Sequence, residues 1–154
     1  KSLKNNKKIF FCGNGGSSAD SQHFSSELMG KYEKTRDSLA AISLSTDTSL
    51  ITSVGNDYSF EDIFSRQVEG IGNKDDILIL ISTSGQSKNI NKAINVAKRK
   101  GIFCIGLLGR DGGEAKKKVD LEITVNSKRT CRIQEMHSLI IHILCGLIEK
   151  NYFL

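Results

Sequence analysis

The chain has 154 residues with a formal net charge of +5, a length that one hydrophobic core fills and that two cores would leave too thin. Hydrophobic residues at 38% and charged residues at 25% exclude a disordered tail and a coiled-coil rod. Lysines and arginines are scattered rather than massed on one face, which argues against a nucleic-acid binder and suits a small anionic substrate.

Segment 8–13 (KIFFCG) is a short apolar run and reads as a buried strand. Stretch 17–34 has helical spacing, 39–44 (LAAISL) is a second strand, and 47–71 is helical with a break near Gly55. A third strand at 76–83 (DILILIST) leads into a helix over 87–100 that stops at Gly101. A fourth strand at 102–109 (IFCIGLLG), a short turn at 113–118 and a fifth strand at 121–125 (LEITV) follow. The last stretch, 129–152, places Ile133, Met136, Ile140, Ile141, Leu144, Leu147 and Ile148 at helical spacing. It is more apolar than one buried face requires, so a homo-oligomer is expected. Strand–helix alternation predicts an α/β fold: a five-stranded parallel sheet with helices on both faces, a flavodoxin-like three-layer sandwich forming one domain over 1–154. Ligands of such folds collect at the carboxyl ends of the strands.

No apolar run reads as long enough to cross a bilayer, and the run after KSLKNNKK is too short for a signal-peptide core. No membrane partner is expected, and the expected location is the cytoplasm. Cys12, Cys104, Cys131 and Cys145 lie in or beside apolar stretches without a CxxC pair, and read as buried free thiols. The first strand starts at Lys8 with no initiator methionine before it, so an upstream segment is expected.

Two turns carry chemistry. Gly13-Asn14-Gly15-Gly16-Ser17-Ser18 opens a helix, where backbone N–H groups and the helix dipole favour oxyanions. The dinucleotide pattern fails there, because its third glycine is Ser18 and no acidic residue ends the second strand; a plain tight connection is the alternative. Ser82-Thr83-Ser84-Gly85-Gln86-Ser87 also leads straight into a helix. N-capping explains one of its hydroxyls, whereas four around a helix N-terminus form a neutral cradle for phosphate. His23 and Glu27, four apart, share a helix face at a metal-ligand spacing. Gln134 and His142 lie eight apart in the final helix.

These motifs, with VGNDYSFEDIFSRQVE, the GRDGG turn and RIQEMHSLIIHILCGLIE, resemble in order and spacing the phosphoheptose isomerases of the sugar isomerase (SIS) domain group. The resemblance implies isomerisation of sedoheptulose 7-phosphate to an aldoheptose phosphate, feeding a glycan such as lipopolysaccharide or capsule. It implies one zinc per subunit near His23, Glu27, Gln134 and His142, and sugar-phosphate contacts from Asn14, Gly15, Gly16, Glu27, Asn56, Asp57, Ser82, Thr83, Ser84, Ser87 and Gln134. Glu27 is the candidate base and His142 the candidate acid. A homotetramer is implied, with an upstream helical region that this chain lacks. Eight residues rise about 12 Å while a side chain plus a metal bond reaches roughly 6–7 Å, so one helix hardly presents both Gln134 and His142 to one ion. Either a neighbouring subunit supplies one of them or the helix runs obliquely past the site. His137 falls outside the ligand set and reads as a partly buried polar residue. The competing reading is a non-catalytic SIS-type binder that senses sugar phosphate or acts as a scaffold; such a protein needs the serine loop and not the four metal-type residues. A flavin or nucleotide carrier lacks both the dinucleotide fingerprint and any tryptophan.

Overall fold

The computed structural model describes residues 2–153. Five strands, β1 (Ile9–Gly13), β2 (Ala41–Ser43), β3 (Ile77–Ser82), β4 (Phe103–Gly109) and β5 (Leu121–Val125), pair in parallel in the order β2-β1-β3-β4-β5. Six helices accompany them: α1 (Gly16–Met29), α2 (Thr48–Asp57), α3 (Ser65–Ile71), α4 (Lys88–Arg99), α5 (Gly113–Lys116) and α6 (Thr130–Phe153).

Every residue of β1 is buried, because helices cover both faces of the sheet and the strand has no solvent side. Strand alternation then splits the core in two. Phe10, Cys12, Leu78 and Leu80 pack with Val54 of α2, Val68 of α3 and Ile90 and Ile94 of α4. Ile9, Phe11, Ile79 and Ile81 face the other way, onto Phe24 and Leu28 of α1 and Ile141 and Cys145 of α6. Each such fully buried large side chain contributes roughly 1.5–3 kcal/mol through apolar burial. The three-layer sandwich expected from the sequence is the fold observed.

The chain runs from β1 outward to β2, then crosses back to β3 on the other side of β1. The reversal of direction falls between β1 and β3, the crevice where ligands settle in open α/β sheets. Both motif turns leave the sheet at that crevice.

Several expectations are corrected. The first helix ends at Met29, not near residue 34, because the N–H groups of Tyr32, Glu33 and Lys34 turn away to the Glu149 carboxylate. Gly55 lies inside α2 rather than at its break. The interruption comes after Asp57, where Ser59 accepts from Glu61 N–H at 3.1 Å and opens a 3-10 turn over Phe60–Asp62. Cys131 is exposed, unlike the other three cysteines. Finally, α6 is by length and composition alone long and apolar enough to cross a membrane, contrary to the sequence reading. Here it instead lays Ile133, His137, Ile141, Cys145 and Glu149 inward at four-residue spacing.

Candidate active site

Asn14 directly follows β1, and both polar atoms of its side-chain amide are hydrogen-bonded. Its Nδ2 donates to Asn89 Oδ1 at 2.9 Å and its Oδ1 accepts from Asn89 Nδ2 at 2.8 Å. Asn89 is buried in the first turn of α4, directly after the serine loop, so this reciprocal pair ties the two turns across the crevice. The sequence pointed to Asn14 and not to Asn89, since nothing local marks a partner 75 residues away. Gly15 follows at φ +55° as N-cap of α1, and no side chain bonds to the first-turn N–H groups. The N–H groups of Ser17, Ser18 and Ala19 donate to the carbonyls of Asn14 and Gly15, so an anion at this helix start would meet the N–H groups of Gly15 and Gly16 ahead of them.

In the serine loop, the Ser82 hydroxyl oxygen accepts from Gly85 N–H at 3.0 Å and that of Ser84 from Gln86 N–H at 3.2 Å. Ser87 occupies the N-cap position of α4 without a capping bond from its side chain. Helix capping therefore accounts for none of these hydroxyls. Gly85 takes φ +63°, and a Cβ there would stand 1.9 Å from the Gly112 carbonyl oxygen. Only a glycine lets the loop lie this close to the 109–113 turn. Asn56 and Asp57, bonded to each other at 2.8 Å, end α2 in an exposed position. The chain just beyond them returns to the serine loop, where Glu61 pairs with Lys88 at 3.1 Å.

The histidine–carboxylate cluster lies further along α1. His23 Nε2 is 3.0 Å from Glu27 Oε1 and 3.5 Å from His142 Nε2. One ligand-type atom from each of the three residues lies within 4.8 Å of the others. Helices α1 and α6 run side by side in the same direction: Gln134 lies over Gly16, Ser138 Oγ donates to Asp20 Oδ1 at 3.0 Å, and His142 meets His23. A Cβ on Gly16 would sit 2.2 Å from Gln134 Nε2, so the glycine makes room for that amide. Gly16 and His23 are seven residues apart on α1, about 10 Å of rise. Within one chain, His23, Glu27 and His142 converge while Gln134 stands two turns away beside the glycine turn. Two imidazole nitrogens and one carboxylate oxygen are a donor set that suits zinc with a position left open.

His137 is fully buried rather than partly so, and donates from Nε2 to the Leu108 carbonyl at 3.0 Å. Burial depresses its pKa, against the opposing effects of that hydrogen bond and of Asp20.

The SIS domain family model matches residues 1–109. A phosphoheptose isomerase of Nitratiruptor sp. is 56% identical over 152 residues, 99% of this chain and 81% of that protein. The chain belongs to the phosphoheptose isomerases of the SIS domain group. The phosphoheptose isomerase structures from Neisseria gonorrhoeae and Francisella tularensis superpose with TM-scores of 0.92 and 0.93 at 45% and 43% identity. They are matched over 97% and 96% of this chain and 79% of each of theirs. Phosphoheptose isomerase relatives are thus somewhat longer than the chain described here.

Proposed function

We propose that this chain converts sedoheptulose 7-phosphate to D-glycero-D-manno-heptose 7-phosphate through an enediol. The observation that supports this most directly is the His23–Glu27–His142 cluster, contributed by two helices and two turns from the glycine turn that Asn14 ties to the serine loop.

The isomerisation removes a proton from C1 and delivers one to C2. Glu27 is the base. Its Oε1 faces His23, which leaves Oε2 to carry the proton. His142 turns Nε2 toward His23 and keeps Nδ1 for protonating oxygen or assisting ring opening. One zinc per subunit, held by His23, Glu27 and His142, would stabilise developing charge on oxygen as a Lewis acid, an effect worth several kcal/mol. Ser82, Thr83, Ser84 and Ser87, with the N–H groups of Gly15 and Gly16 and the polar pair Asn56 and Asp57, grip the sugar phosphate. Binding energy spent on that end orients the reacting carbons.

The active assembly is a homotetramer. Met136, Leu139, Ile143 and Leu147 present an apolar stripe on the outer face of α6, each 42–53% exposed. A neighbouring copy covers that stripe and brings its Gln134 to the cluster as a fourth ligand. The enzyme works in the cytoplasm and its product enters a surface glycan.

The test is purified protein mixed with sedoheptulose 7-phosphate, with and without a chelator, followed for aldoheptose phosphate. Turnover abolished by the chelator and lowered about 10²-fold or more in Glu27→Gln supports the assignment. Binding of the sugar phosphate without turnover moves the chain to the class of sugar-phosphate-binding regulators.

A further inference from the structure

Beside the cluster the chain is closed by a buckle that the chemistry above does not use. Glu149, near the end of α6, accepts from the N–H groups of Tyr32, Glu33 and Lys34 at 3.2, 3.2 and 3.1 Å and from Arg36 Nε at 2.8 Å. Arg36 spends its remaining nitrogens on carbonyls, chiefly those of Glu27 and Leu28 at 2.8 Å each. Both side chains of the pair are 3% exposed. A buried ion pair is costly unless its remaining donors and acceptors are satisfied, and here they are. The outcome is a loop after α1 that is fixed at both ends.

The loop holds one ring in place. Tyr32 lies nearly parallel to the His142 imidazole, with centroids 6.0 Å apart and planes inclined by 26°. A Cβ on Gly146, one turn along α6, would stand only 3.6 Å from the Tyr32 ring. On the other side His23 meets His142 edge-on at 5.0 Å and 81°. The imidazole of His142 is therefore bracketed by His23 and by Tyr32.

We infer that Tyr32 is a positioning residue, seated by the Glu149–Arg36 buckle, whose ring fixes the orientation in which His142 meets His23 and Glu27. This rests on reading the cluster as the reactive centre. Groups that orient metal-binding imidazoles typically govern metal affinity by about 10- to 100-fold. The ring's flat face does the work, so the hydroxyl is dispensable.

The experiment compares the parent with Tyr32→Phe and Tyr32→Leu by Zn²⁺ titration calorimetry, thermal melting and steady-state kinetics. Tyr32→Leu should bind Zn²⁺ about tenfold more weakly or worse and lose a similar factor in kcat with little change in KM, while Tyr32→Phe matches the parent in all three. Tyr32→Met, which fills the space without a flat face, replaces the leucine variant if that one does not fold. Parental Zn²⁺ affinity and kcat in the leucine or methionine variant overturn the inference, even where melting falls. An equal loss in Tyr32→Phe also overturns it, because the hydroxyl would then be the active part. A parent that binds Zn²⁺ but does not isomerise refutes the proposed reaction, and the Zn²⁺ titrations still decide the role of Tyr32. A parent that does not bind Zn²⁺ refutes both.

Discussion

At the scale of single residues, the site depends on close approaches that only small or buried groups permit. Gly85 is the sharpest case. An alanine there would combine left-handed backbone strain of about 1–2 kcal/mol with a collision against main-chain atoms, and overpacking of that kind costs typically 1–3 kcal/mol. Gly85→Ala should lower unfolding stability by roughly 2–5 kcal/mol in a denaturant titration and raise KM for the sugar phosphate. Gly16→Ala meets the movable end of Gln134 instead, so it should displace that amide with a smaller loss. His137 sets a pH dependence. Its pKa is depressed below the usual 6.5 when folded, so the unfolded chain takes up the proton first. Its contribution to stability is present above about pH 6.5 and is lost as the pH falls below that value. His137→Gln should flatten that part of a stability–pH curve. At Glu149 burial opposes ionisation, but Arg36 and the three N–H groups outweigh it and hold the carboxyl below its ordinary 4.5. Protonating that carboxyl removes further stability as the pH drops beneath this range.

At the scale of elements, the residues show what can be read from local pattern and what cannot. The five strands were legible because doubly covered strands are short continuous apolar runs. Their ends shifted by one or two residues where pairing stops: β2 pairs only Ala41, Ile42 and Ser43 with its neighbour. Gly55 looked like a breaker, yet a helix tolerates one glycine for about 1 kcal/mol, and the stronger local signal was the Ser59 cap. The end of α1 was not legible, because Glu149 lies over a hundred residues away. The same holds for Asn89. For the candidate ligands, spacing alone linked His23 with Glu27 and left Gln134 with His142 in doubt; the parallel run of α1 and α6 accounts for both, joining His142 to the first pair and parking Gln134 over Gly16. The outer stripe of α6 carries a prediction of its own. Leu147→Glu should dissociate the proposed homotetramer, read as a lower mass in light scattering, and reduce turnover far more than it reduces secondary structure by circular dichroism.

At the scale of the whole molecule, the parallel order and the crossing between β1 and β3 bring the helix starts of α1 and α4, which cover opposite faces, together at the carboxyl end of the sheet. That arrangement explains how two turns some seventy residues apart come to be tied side by side through Asn14 and Asn89. The same order leaves two outer strands. On one side β2 is only three residues long. On the other, β5 presents Leu121 at 51% exposure beside Glu122, whose carboxylate is hydrogen-bonded by Thr124 and paired with Lys116 at 2.9 Å. These contacts hold Glu122 charged, with its pKa below the ordinary carboxylate range. A charged side chain on an edge strand discourages a second strand from adding to it, because that strand would have to bury the charge. Glu122→Val would turn LEITV into LVITV, an uninterrupted sticky border, and concentrated samples of that variant should form thioflavin-positive fibrils while the parent stays clear.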